Sequence, residues 1–113
     1  MNINIKEIII RRIVIAPSER LDAFSAPELR GEIDRLLADG ATQFVLDLSK
    51  ISFLDSSGMA VLVSLLKRAR QAGGDVKLVM PIEEAAQRIL KLTKFDRVFD
   101  LASNVETALG AFA

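Results

Sequence analysis

A short apolar strand followed closely by a long amphipathic helix constrains this sequence more than any other feature. The strand is predicted at 43–48, a run of strand-forming residues in which Asp47 is the one charge. The helix is predicted from about residue 57 to 72, where apolar residues recur at helical spacing. The loop between them, 49–55, is therefore expected at the carboxyl end of a buried strand, where the functional groups of α/β proteins collect.

Strands and helices alternate along the rest of the chain, which predicts one α/β domain over residues 1–113. Residues 3–16 predict an N-terminal strand pair, either a hairpin or an edge pair, and residues 18–24 predict a loop. A second buried strand is expected at 76–80. Further helices are expected at 26–38, 82–92 and 105–112. The result is a mixed sheet of four or five strands packed by about four helices.

Composition argues against several functional classes. The chain has no cysteine and no histidine, so the usual disulfides, the commonest transition-metal ligand and the commonest general base are missing. Fifteen basic residues balance fifteen acidic ones, and no basic stripe or Tyr/Trp stacking platform favours nucleic acid. No apolar run approaches the length of a membrane span. We expect a cytoplasmic domain without catalytic residues, metal, cofactor or nucleic-acid partner.

The start of the long helix carries Asp55, Ser56, Ser57 and Gly58. One interpretation is that the aspartate or a serine simply caps the helix. The other is that a hydroxyl at this position carries phosphate, since the free N–H groups and the helix dipole favour an anion by about 0.3–1 kcal/mol. The two interpretations are compatible. The glycine would let another surface come close.

Helical spacing also places Met59 and Val63 on the flank of the apolar face, on the same side as Ser56. They can belong to the rim of the core, or they can form an apolar docking strip beside the serine. The pattern leaves both possibilities open.

The segment F-L-D-S-S-G-M-A-V-L, preceded by V-L-D-L-S-K-I-S, resembles the signature of the STAS-domain anti-sigma factor antagonists. The chain length and the Leu21-Asp22 element before the first helix are also similar to that family. The resemblance implies a STAS-like fold and implies that Ser56 is phosphorylated by a partner kinase. It also implies a partner-binding surface that includes Asp22, Asp55, Ser56, Ser57, Gly58, Met59 and Val63. Glu19 stands where family members commonly carry glycine, which bears on the shape of the loop at 18–24.

The resemblance further implies a partner switch. Unphosphorylated, such a domain binds an anti-sigma factor of the histidine-kinase-like ATPase type and frees a sigma factor. That kinase then phosphorylates Ser56, and a serine phosphatase of the PP2C type resets the cycle. STAS domains also serve as non-switching subunits of lipid-transport ATPases and stress-sensing complexes, and this alternative stays open.

The expected oligomeric state is a monomer or a weak dimer associated through the N-terminal edge strand.

An enzymatic role is disfavoured by the residues around Ser56. The serine would need activation by Asp47 or Asp55, and a carboxylate is a poor base for a serine hydroxyl. The nucleophile elbow, the P-loop and the dinucleotide fingerprint are all absent from the sequence. A phosphoacceptor receiver domain is disfavoured as well, because no acidic pair follows a first buried strand.

Overall fold

The alternation of strands and helices in the sequence is reproduced in a computed structural model that describes residues 1–112. The elements in chain order are β1 Ile13–Ile15, β2 Glu19–Leu21, α1 Ala26–Ala38, β3 Gln43–Asp47, β4 Ile51–Leu54, α2 Ser56–Gln71, β5 Asp75–Val79, α3 Glu84–Leu92, β6 Asp100–Ala102 and α4 Val105–Gly110. A 3-10 turn at Phe95–Arg97 lies between α3 and β6. The predicted α/β class and its four helices are confirmed.

The strands form two parallel sheets. β1, β3, β5 and β6 lie side by side in that order, and β2 pairs with β4 in a separate two-stranded sheet. β2 follows β1 and β4 follows β3, so the second sheet continues the β1–β3 pairing beyond a bend in both segments. The Glu19 N–H donates to the Lys50 carbonyl at this bend, at 3.1 Å. The bend carries β2 and β4 to the start of α2, so the site described below depends on it.

The sheets differ from the sequence-based expectation in two respects. The predicted loops at 18–24 and 49–55 contain β2 and β4, which are too short to show a period-two pattern. The predicted N-terminal strand pair at 3–16 is not formed, because residues 1–12 are exposed without regular structure and only Ile13–Ile15 forms a strand, parallel to β3. The sheets are therefore parallel where a mixed sheet was expected.

Helices cover the two faces of the four-stranded sheet unequally. Phe44 and Leu46 of β3 face the larger core, which α1, α2 and α3 complete, and neither side chain is exposed to solvent. Val45 points to the opposite face and packs with Val79 and with Ala108 of α4. Since successive side chains of a strand alternate between faces, β3 has to be apolar throughout its centre.

Glu19 begins β2 in the left-handed backbone region, with φ at +68°. A residue with a Cβ pays about 1–2 kcal/mol to occupy that region, whereas glycine does not. The Ser52 hydroxyl donates to the Glu19 carbonyl at 2.9 Å, so the strained backbone is held by its neighbours. The register between β2 and β4 shifts at this residue. Glutamate thus occupies a backbone conformation that glycine would adopt readily.

Candidate functional site

Helix α2 begins at Ser56, and Asp55 is its N-cap. The Asp55 Oδ1 accepts hydrogen bonds from the N–H groups of Ser57 at 2.9 Å and Gly58 at 3.1 Å. Two of the donors left open at the start of the helix are therefore satisfied by one carboxylate oxygen. The capping interpretation is confirmed, with the aspartate as the cap.

The second oxygen of Asp55 ties the helix to the loop after β2. Its Oδ2 accepts a hydrogen bond from the Ala23 N–H at 3.1 Å. The Asp55 N–H in turn donates to the Leu21 carbonyl at 3.3 Å. Because both carboxylate oxygens already accept backbone N–H groups, Asp55 is placed to position the loop and the helix start.

Gly58 lets the end of β2 approach the first turn of α2. A Cβ on this residue would lie 2.3 Å from the Leu21 carbonyl oxygen and 2.8 Å from the Leu21 Cγ. Gly58 is buried by this contact. The group that approaches Gly58 is therefore Leu21 of the same chain. Gly58 is buried, so it offers a partner little surface of its own.

Asp22 shapes the loop between β2 and α1. Its Oδ1 accepts hydrogen bonds from the N–H groups of Phe24 at 3.0 Å and Ser25 at 3.1 Å, and its Oδ2 accepts one from the Arg20 Nε at 3.0 Å. The Arg20 hydrogen bond, followed by that of the Ser25 N–H, lowers the pKa of the Asp22 carboxyl below its ordinary 3.8. Asp22 is thus held as an anion by Arg20 of β2 and by the backbone of its own loop.

The two serines of the junction differ in exposure. Ser56 is exposed, and its hydroxyl makes no hydrogen bond within residues 1–112, whereas Ser57 is half-buried. A phosphate on Ser56 would find the N–H groups of Ser57 and Gly58 already bonded to Asp55. The helix start therefore has fewer free N–H donors for an anion than the sequence suggested. The Ser56 hydroxyl is nevertheless accessible for reaction.

The flank of α2 beside Ser56 is partly open. The Met59 sulfur lies 3.9 Å from the Thr93 Oγ1 at the end of α3, and the side chain is half-buried. Val63 is 37% exposed and lines, with Val98, a shallow depression of about 500 Å³ between α2 and the turn after α3. The structure therefore places Met59 at the rim of the core and Val63 on the open surface.

Phe24 is a residue of this region that the sequence did not single out. It is 95% exposed, in the loop that Asp22 and Asp55 hold. Aromatic side chains are enriched in protein–protein interfaces, so Phe24 is a candidate contact for a partner. In the sequence, Phe24 is only an isolated aromatic residue in a predicted loop, and this pattern is too weak to indicate a functional residue.

The two aspartates considered as activators of Ser56 bond elsewhere in the described part of the chain. Asp47 accepts a hydrogen bond from the Ser49 N–H at 3.0 Å, and neither Asp47 nor Asp55 bonds to the Ser56 hydroxyl. Within residues 1–112, no three side chains of the metal-binding types are grouped to hold an ion. In the same range no helix combines the length and the apolar character that crossing a bilayer requires.

Comparisons with known proteins agree with this geometry. The family described as the STAS domain matches residues 2–108. The anti-sigma-B factor antagonist of Bacillus subtilis is 30% identical over 86 residues, which cover 76% of this chain and 77% of that protein. The crystal structure of an anti-sigma factor antagonist from Mycobacterium paratuberculosis is similar with a TM-score of 0.76 at 30% identity, covering 88% and 84% of the two chains. A sulfate transporter family protein from Wolinella succinogenes shares the fold, with a TM-score of 0.72, 15% identity and coverage of 90% and 86%.

The contact between Gly58 and Leu21 can be tested with two glycine-to-alanine changes. In an open helix position alanine is favoured over glycine by about 0.8–1 kcal/mol. A Cβ added to Gly31 of α1 would meet no neighbouring group within 4 Å, so we expect Gly31→Ala to be stabilising by that amount. Gly58→Ala would press a methyl group onto the Leu21 carbonyl, so we expect it to destabilise by about 1–3 kcal/mol. Urea unfolding measures both, and stabilisation by Gly58→Ala would contradict the packing described.

Proposed function

Because this chain belongs to the STAS domain family and its relatives include anti-sigma factor antagonists, we propose that it antagonises an anti-sigma factor and that phosphorylation of Ser56 switches it off. The observation that carries the switch is the exposed, unbonded Ser56 hydroxyl at the first turn of α2. It lies beside a loop fixed by Asp22 and Asp55. A fixed loop and an accessible acceptor are what a kinase partner needs in a protein substrate.

The chemistry assigns Ser56 the role of acceptor and the partner the role of catalyst. The Ser56 oxygen attacks the γ-phosphorus of ATP held by the anti-sigma factor, the bond from that phosphorus to ADP breaks, and ADP leaves. The hydroxyl proton needs a base. The Asp55 oxygens accept backbone N–H groups and make no hydrogen bond to the Ser56 hydroxyl, so we infer that the base belongs to the partner. This chain then undergoes the reaction without catalysing it.

Charge explains how the modification ends the interaction. A phosphate adds about −1.5 to −2 charges at pH 7. On the free surface that charge stays hydrated, but in a docked interface it loses water and lies next to the Asp55 carboxylate. An unpaired charge in such a position costs several kcal/mol. A loss of about 4 kcal/mol lowers affinity roughly a thousandfold. The fold does not need to change for the partner to be released.

We infer that the docking surface includes exposed apolar residues from both segments joined at Asp55. Phe24 at 95% exposure provides an aromatic anchor in the loop after β2, and Val63 of α2 at 37% with Val98 at 45% provides an apolar depression. Interfaces of this kind concentrate their binding energy in a few such side chains. Asp22 supports the surface because its Oδ1 accepts the N–H of Phe24 in the loop and its Oδ2 accepts the Arg20 Nε of β2.

We propose further that the partner is an anti-sigma factor of the histidine-kinase-like ATPase type, that a PP2C-type serine phosphatase removes the phosphate, and that both act in the cytoplasm. The motif around Ser56 supports these assignments by its resemblance to switching antagonists. The alternative is a non-switching role on the same fold, and the fold also occurs in a sulfate transporter family protein at 15% identity. The two roles differ in whether the Ser56 hydroxyl is modified.

Incubation with the cognate anti-sigma kinase and ATP tests the acceptor. We expect a mass gain of one phosphate in the wild-type chain and in Ser57→Ala, because Ser57 is half-buried. We expect none in Ser56→Ala, which should still bind the anti-sigma factor because it keeps an uncharged side chain. Intact mass spectrometry and calorimetric titration measure the two properties.

Unmodified wild-type protein in that incubation, with binding intact, would favour the non-switching role. If Ser56→Ala gains the same phosphate as the wild type, the acceptor is a residue other than Ser56.

Two valines of similar exposure test the docking surface. Val63 is 37% exposed beside the site, and Val14 is 41% exposed on the sheet face that α4 covers. We expect Val63→Asp to weaken binding of the anti-sigma factor at least tenfold, about 1.4 kcal/mol, because a carboxylate would be buried in the interface. Val14→Asp serves as the control and should bind like wild type. Equal affinity of all three proteins would exclude the α2 flank from the interface.

A further inference from the structure

An exposed apolar arm lies next to an unpaired sheet edge. Strand β1 pairs only with β3, so its other edge has no partner within residues 1–112. The residues before it are strongly apolar and exposed: Ile8 71%, Ile9 81% and Ile10 53%. Beside that edge, Ile13 and Ile15 of β1 and Leu29 and Leu36 of α1 line a groove of about 490 Å³. Unpaired edges and exposed isoleucines of this kind favour strand addition.

We propose that residues 9–15 of two copies of this chain pair as antiparallel strands across the free edge of β1, forming a dimer with a continuous eight-stranded sheet. The proposal goes beyond the antagonist function and does not depend on it. A twofold axis perpendicular to the sheet pairs residues that face the same side, and among the registers it allows we choose the one that matches Ile9 with Ile15 and Ile10 with Val14. Residue 12 then lies opposite residue 12 of the second copy.

This register pairs apolar residues on both sides of the sheet. Ile9 lies opposite Ile15 on the helix side and enters the groove next to Leu29 and Leu36. Ile10 lies opposite Val14 on the side that α4 covers. In the single chain, the side chains of residues 11 and 12 already point to opposite faces of the sheet, as this register requires.

Arg11 and Arg12 show that alternation directly. Arg11 bonds to Asp39 after α1 at 2.9 Å, and α1 packs on the helix side. Arg12 bonds to the Gln43 side chain at 3.1 Å and stacks over Phe112 on the opposite side, with 5.8 Å to the ring centroid. Each Arg12 is thereby drawn toward its own body, which limits the repulsion between the two copies at the axis.

A return of the arm onto its own β1 is disfavoured by the sequence. Residues 5–15, I-K-E-I-I-I-R-R-I-V-I, contain no Gly, Pro, Asn or Asp. Tight hairpin turns depend on those residues. A second copy can supply the missing strand without any turn, which favours exchange between chains over a hairpin within one chain.

The size of the interface sets the expected affinity. Each buried isoleucine or valine side chain removes roughly 100 Å² of apolar surface, so Ile9, Ile10 and Val14 of both copies contribute roughly 600 Å². The strand backbones add to this, and the total stays near the lower end of specific interfaces, about 1,200 Å². We therefore expect a reversible dimer with a dissociation constant in the micromolar range.

Sedimentation equilibrium of the full chain at about 1–500 μM tests the proposal, with Ile9→Asp and Ile5→Asp as a matched pair. Both isoleucines are exposed, 81% and 90%, so neither change disturbs the core. Ile5 lies outside the paired register. We expect the wild type and Ile5→Asp to dimerise alike, and Ile9→Asp to dimerise at least tenfold more weakly. A monomer throughout the range, or equal effects of the two changes, would overturn the proposal.

The register can be tested by cross-linking, because the chain has no cysteine of its own. Residues directly opposite in an antiparallel pair have Cα atoms about 4.5–5.5 Å apart, within the range that a disulfide spans. We expect Arg12→Cys to form a covalent dimer under mild oxidation and Ile5→Cys to remain monomeric. If both cross-link equally, or neither does, the register is wrong. If edge variants instead weaken anti-sigma factor binding in a monomeric protein, the edge belongs to that partner.

Discussion

The site depends on the carboxylate of Asp55, which joins two parts of the chain separated by more than thirty residues. One of its oxygens holds the first N–H groups of α2, and the other holds the loop after β2 through the Ala23 N–H. The close approach of Leu21 to Gly58 completes the same junction. Charge-assisted hydrogen bonds of this kind are stronger than neutral ones. Ser56 and Phe24 are both exposed and each lies next to a residue bonded in this junction, so the junction sets their relative placement.

The same bonding leaves the Ser56 hydroxyl without a hydrogen bond to Asp22 or Asp55, which fits its proposed role as a phosphoacceptor. A catalytic serine needs a base with an available lone pair directed at its hydroxyl. Here both oxygens of Asp55 receive backbone N–H groups, and Asp22 is held by Arg20 and by its own loop, which lowers the pKa of its carboxyl. The two carboxylates therefore stabilise the shape of the surface. In the proposed switch, a phosphate on Ser56 changes the charge of that surface, and the partner supplies the catalysis.

The sequence predicted the long elements well and the short ones poorly. Helix α1 was expected at 26–38 and lies there, and the central strands were recognisable because they are buried on both faces. β2 and β4 have three and four residues, too few for a periodic pattern. Ser25 has the spacing of a capping residue, yet its hydroxyl donates to the Arg20 carbonyl at 2.8 Å, because the loop competes for it. The D-S-S-G motif identified the helix start and its cap, but the contacts of Gly58 with Leu21 and of Asp55 with Ala23 are long-range and could not be derived from local spacing.

A phosphate on Ser56 is expected to act locally, on a surface that the rest of the fold holds in place. The most direct measurement compares amide ¹H–¹⁵N spectra of the chain before and after quantitative phosphorylation of Ser56. We expect shift changes confined to residues 21–25 and 54–60, with unchanged signals from the buried strands β3 and β5. Shift changes spread through those strands, or a loss of spectral dispersion, would contradict a local electrostatic switch.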